Sequence, residues 1–154
     1  MVEFGYNNPQ TIQAGQAAIL NNIRPCQKRP QQVLHDDETP NIMLRGIVRN
    51  PCCAFAQYNG RYSGNISIPD GGTAGEIQLA LSVDGYVRPL TIAAATPAAV
   101  EEYWHVSGEA TIDVPVGCCP TVTVVNASTS ATPATTPAPA IEVRNLNVVI
   151  NRLA

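Results

Sequence analysis

The chain has 154 residues and a net charge of -3, with 45% hydrophobic and only 14% charged residues, where ~25% charged is ordinary for a soluble domain. This length fits a single domain spanning 1–154 that buries its own core, and one lysine, Lys28, among scattered arginines leaves no basic stripe for phosphates, so nucleic acid is excluded as a partner. Apolar runs such as Leu90–Val100 are too short and too proline-broken to cross a bilayer, and the N-terminus lacks a basic, apolar leader, so no membrane partner and no signal peptide are expected.

Thirteen prolines and 11 glycines interrupt the chain throughout, which precludes long helices. Early strands are predicted over Glu3–Tyr6, Ala17–Asn21, Ile42–Val48 and Gly60–Ile68. The clearest is Glu76–Val83: Ile77, Leu79, Leu81 and Val83 alternate with Gln78, Ala80 and Ser82. Asp84-Gly85 then signals a two-residue hairpin. Tyr86–Ile92 resumes, with Pro89 marking it as an edge or bulged strand. Thr96-Pro97 fits a helix start over Ala98–Tyr103, with a buried loop as the alternative. Glu109–Val116 and Thr121–Asn126 follow as strands around the tight loop Gly117–Pro120. Residues 127–140 hold only Ala, Ser, Thr and Pro, a low-complexity stretch read as an exposed hairpin loop. The last strand, Ile141–Leu153, changes register between Val143 and Leu146, which predicts a bulge. About eight to ten short strands make an all-β, antiparallel two-sheet sandwich or barrel.

Five cysteines are present: Cys26, Cys52, Cys53, Cys118 and Cys119. Side chains of adjacent residues on a strand face opposite ways, so at most one cysteine of each doublet can face the core. Cys52, Cys53, Cys118 and Cys119 are therefore candidate disulfide or packing cysteines. Their adjacency is a poor match to zinc-ligand spacing. His35 opens the acidic run His35-Asp36-Asp37-Glu38, read as a solvated loop, and His105 sits in an aromatic stretch. Neither histidine stands beside a recognisable nucleophile elbow. No catalytic residue, metal or cofactor is assigned, and the chain is not expected to be an enzyme. Phe4, Tyr58, Tyr62, Tyr86, Tyr103 and Trp104 are candidate interface residues, because rings with polar tips suit a subunit or partner surface.

Gly60-Arg-Tyr-Ser-Gly-Asn-Ile-Ser-Ile-Pro resembles the central strand of the tumour-necrosis-factor / complement-globular-head jelly-roll superfamily. Gly75-Glu-Ile-Gln-Leu-Ala-Leu-Ser-Val-Asp-Gly resembles its next strand and hairpin. Gln10-Thr-Ile-Gln-Ala-Gly-Gln is similar to its opening, and Ile141–Ala154 to its final strand. Thr96–Val100 and Asn126–Ala131 resemble segments of such heads on phage and prophage virion-surface proteins. The resemblance implies a jelly roll that packs as a compact homotrimer with one sheet face buried. It implies a phage capsid decoration protein, head-fibre-like and on the virion surface after assembly in the host cytoplasm. Its partner would be the major capsid protein or another virion protein. The alternative is a jelly-roll module on a tail, cell or spore surface that binds a carbohydrate or host-surface receptor. No collagen-like stalk precedes the head, and the proline-rich insert at Thr132–Ala140 departs from the pattern.

Overall fold

A computed structural model describes residues 1–22, 32–48, 52–130 and 137–153. Its strands, in chain order, are β1 (Val2–Tyr6), β2 (Gln10–Ile12), β3 (Asn21–Asn22), β4 (Val33–His35), β5 (Ile42–Leu44), β6 (Phe55–Ser67), β7 (Ile77–Val83), β8 (Tyr86–Val87), β9 (Ala93–Ala95), β10 (Trp104–Pro115), β11 (Thr121–Asn126) and β12 (Ile141–Arg152). One antiparallel sheet runs β10-β6-β12-β1-β3, with β2 also paired to β12. The facing sheet runs β4-β5-β11-β7-β8, with β9 also paired to β7. From β6 onward the chain passes back and forth between the sheets, so sheet neighbours are seldom consecutive in sequence. This is a jelly-roll sandwich.

The alternation that marks strands also builds the core. Along β6, Ala56, Tyr58, Tyr62 and Ile66 turn inward and are fully buried, while Phe55, Gln57 and Arg61 are exposed. They meet Ile77, Leu79 and Leu81 of β7, Val122 and Val124 of β11, and Val148 and Ile150 of β12 in one cluster. Burying such side chains contributes ~1.5–3 kcal/mol each. On β7, Ala80 and Ser82 are buried as well, so the outward row predicted there is also covered.

Several sequence expectations hold closely. Asp84 and Gly85 have φ of 50° and 82°, the two left-handed positions of a tight hairpin turn. The bulge in β12 lies where expected, with a register shift between Arg144 and Asn147 and Asn145 at φ 50°. Other expectations are corrected. Residues 96–103 form turns and no helix, because Glu101 takes the left-handed backbone at φ 59°, which a right-handed helix does not accommodate; the Glu102 carboxylate accepts the Ala98 and Ala99 N–H groups at 2.8 and 3.3 Å within this turn. Ala17–Asn21 is no continuous strand; Ala17 makes a single bridge to Val125. β5 stops at Leu44. Tyr86–Ile92 is broken by a 3₁₀ turn at Pro89–Thr91. The stretch after β11 is not a hairpin loop, since β11 and β12 belong to different sheets. Residues 131–136 of that stretch lie outside the described residues.

Candidate functional site

The side of the sandwich built from β8, the 3₁₀ turn, β9 and the start of β10 is unusually apolar for a surface. Tyr86 is 79% exposed, Leu90 97% and Trp104 46%, and Val87, Ile92 and Val100 are exposed beside them. Local chemistry sets this outward display. Pro89 removes a backbone donor and breaks the strand. Thr91 then turns inward: its hydroxyl accepts from Leu81 N–H at 2.9 Å and donates to the Arg88 carbonyl at 2.8 Å. With Thr91 pinned to β7, its neighbours Leu90 and Ile92 are left outside. Trp104 is held by its indole N–H, which donates to Glu102 at 3.2 Å.

Tyr103, next along, is tied down within the chain. Its hydroxyl donates to Glu142, and the Arg144 guanidinium lies 4.5 Å over its ring while bonding Glu142 at 3.1 Å. Burial, and then the Glu142 carboxylate, raise the Tyr103 hydroxyl above its ordinary pKa.

Of the six aromatic candidates, Tyr86 and Trp104 stand on this edge and Tyr103 is half-buried behind it. Phe4, Tyr58 and Tyr62 are corrected: all three are buried in the core and reach no partner. Their strands place them at inward positions, and their polar tips are used internally. The Tyr62 hydroxyl crosses the core to the Leu79 and Thr91 carbonyls, both at 2.7 Å. The Tyr58 hydroxyl reaches the Arg45 carbonyl at 2.6 Å and the Gln32 carbonyl at 3.2 Å. One hydroxyl proton is thus shared between two acceptors in each case. Phe4 packs edge-on against His35, with ring centroids 4.7 Å apart. Sequence reading does not single out Val87, Leu90, Ile92 or Val100; the proline that interrupts their strand is the signal that could have found them.

The outer face of the β10-β6-β12 sheet is different in kind. It holds a shallow groove of about 450 Å³ lined by Met1, Asn59, Arg61, Ser63, Glu109, Asn147, Val149 and Asn151. The Asn59 amide donates to Glu109 at 2.7 Å, and Asn147 donates to Glu3 at 2.7 Å. This lining mixes uncharged polar side chains with Met1 and Val149 and carries one charge of each sign, Arg61 and Glu109. Among the described residues no group of three His, Cys, Asp or Glu side chains converges on a metal-sized site. The His35 ring nitrogens face the Asn41 and Leu20 carbonyls at 2.8 and 3.0 Å, so the imidazole is engaged inside the fold.

The cysteines gather at one end of the sandwich, where β6 begins and β10 ends. Cys52, Cys53, Cys118 and Cys119 are all exposed. Neither member of either doublet packs in the core, because both doublets lie beyond the strand ends. Cys26 lies outside the described residues.

No protein-family model matches the chain, and no curated protein matches it. Solved structures do. Eiger TNF from S. frugiperda superposes with a TM-score of 0.62 at 8% identity, covering 99% of this chain and 91% of that one. The globular domain of zebrafish complement 1qA protein gives 0.50 at 14% identity, covering 96% and 94%. At such identities the likeness establishes the fold: a tumour-necrosis-factor-like jelly roll.

Proposed function

We propose that this jelly roll is a phage virion structural protein, a homotrimeric, head-fibre-like capsid decoration protein. It binds the major capsid protein or another virion protein on the outer shell, and reinforces the shell or displays a surface. It acts by assembling and binding, without catalysis, at the virion surface after assembly in the host cytoplasm. The observation that carries the reading is the apolar edge. Six large apolar side chains are exposed along β8, the 3₁₀ turn and the segment leading into β10, and exposed apolar surface of this kind marks an interaction site. Three linked copies gain avidity from individually modest contacts.

Light scattering on the purified chain is expected to give the mass of three chains, and a stable monomer at high concentration rejects the assembly. Electron microscopy of the source particle is expected to show this chain on the head. A head without that density rejects the capsid role even if the trimer stands.

A second reading rests on Trp104 and Tyr86. An exposed indole held upright by Glu102 is a stacking plate for a sugar ring, which favours a carbohydrate- or receptor-binding module on a tail, cell or spore surface. A glycan array with a clear hit that Trp104→Ala abolishes would favour this reading over the first.

A further inference from the structure

The cysteine end of the sandwich contains a thiol arrangement that the assembly reading does not use. β6 and β10 stay in register to their last pair, Phe55 opposite Pro115. One step further, Val116 N–H still donates to the Ala54 carbonyl at 3.1 Å. Cys53 is the next residue on that side. On the other side the chain reverses at Gly117, whose φ is 81°, and Cys118 N–H donates back to the Pro115 carbonyl at 3.0 Å. Continued past Ala54 and Val116, the β6–β10 register sets Cys53 opposite Gly117, the neighbour of Cys118.

This turn is seated firmly. Gly46 N–H donates to the Cys118 carbonyl at 2.8 Å and Gly117 N–H donates to the Gly46 carbonyl at 3.1 Å. A Cβ on Gly46 would meet the Pro115 carbonyl oxygen at 1.9 Å, so only glycine lets the turn lie this close. Both thiols are free and exposed, open to a solution oxidant, and neither fills the core. A disulfide needs Cα atoms within about 7 Å, and the strand register sets Cys53 one residue away in sequence from the position opposite Cys118.

We propose that Cys53 and Cys118 form an intrachain disulfide that staples these two loops when the protein meets a disulfide oxidant such as glutathione disulfide. The thiolate of one cysteine attacks the oxidant and releases one glutathione. The second thiolate then attacks that mixed disulfide and releases the other. Two protein thiols lose two protons and two electrons, and one glutathione disulfide becomes two glutathiones.

The full chain is incubated with glutathione disulfide, and its peptides are mapped by mass spectrometry without reduction. The expected result is one link joining the Cys53 peptide to the Cys118 peptide. Tm should rise by roughly 5–10 °C and fall back on adding dithiothreitol. The double variant Cys52→Ser/Cys119→Ser should still form the link, and Cys53→Ser/Cys118→Ser should lose it. A link between chains, a link through any other cysteine, or mixed glutathione adducts alone would overturn the proposal.

Discussion

Tyr62→Phe tests the cross-core strut that ties the two sheets together. Tyr62 is fully buried, and its hydroxyl is the donor shared by the Leu79 and Thr91 carbonyls. Phenylalanine keeps the ring and removes the donor, so no cavity forms and the cost is that of buried carbonyls left short of a partner, ~1–3 kcal/mol. For a chain of this size that is a Tm loss of roughly 2–12 °C. The strut also carries a pH signature. Burial raises the Tyr62 pKa above its ordinary value of 10.0. Below pH 10 the proton is held in folded and unfolded chains alike. Above it the unfolded chain ionises first and binds fewer protons, so this residue's contribution falls by about 1.4 kcal/mol per pH unit until the folded pKa is reached. Urea unfolding of both proteins from pH 7 to 11.5 should show the wild-type advantage constant up to about pH 10 and shrinking beyond. An unchanged midpoint at pH 7, or a gap that widens with alkali, would refute the strut.

Leu90→Asp should leave the fold intact, because a side chain 97% exposed touches little of its own chain, and unfolding should move by less than ~0.5 kcal/mol. If the edge is the assembly surface, each lost leucine contact weakens association by about 10- to 150-fold, which sedimentation would register as dissociation. Gly108→Ala places a Cβ 2.5 Å from the Thr91 carbonyl oxygen and 2.6 Å from the Tyr62 ring; a cost of ~1–3 kcal/mol in urea unfolding is expected. Asn145→Val puts a β-branched residue at the left-handed bulge of β12 and should cost about 1–3 kcal/mol by the same measurement, whereas Asn145→Gly should be near neutral.

Much of the fold was legible because alternation and turn chemistry act locally. β11 lies where its threonines and valines alternate, and the Asp84-Gly85 turn and the β12 bulge were readable from neighbouring residues alone. What escaped depends on contacts distant in sequence. Whether Tyr58 and Tyr62 serve a partner or the core is decided by carbonyls at positions 32, 45, 79 and 91, which a local pattern does not show. The helix expected after Pro97 is cut short at Glu101, whose left-handed backbone at φ 59° is set by the return of the chain toward Ile68, where its N–H donates to the Ile68 carbonyl at 2.9 Å. β2 and β4 were missed because three residues carry too little periodicity to read. Pro89 marks the edge in the sequence, but the outward turn of Leu90 and Ile92 depends on Thr91 bonding to Leu81, a contact ten residues away that the local pattern does not show.

The low charge content has two structural sources, and they bear differently on assembly. One is the apolar edge. The other is the sheet face on which Asn59, Ser63, Asn147 and Asn151 provide polarity without charge. Two edges meeting each other form an isologous contact, which closes at a dimer. An edge meeting the polar face of the next copy forms a heterologous contact, which closes as a ring when the rotation is threefold. In that case Arg61 and Glu109 lie under the incoming edge, and Arg61→Glu sets two carboxylates against each other where an opposite pair stood. A trimer built edge-on-face should then fall apart with Arg61→Glu as well as with Leu90→Asp. If Leu90→Asp dissociates the assembly and Arg61→Glu leaves its mass unchanged, the polar face lies outside the contact, and the threefold arrangement loses its geometric basis even though the edge remains an interface.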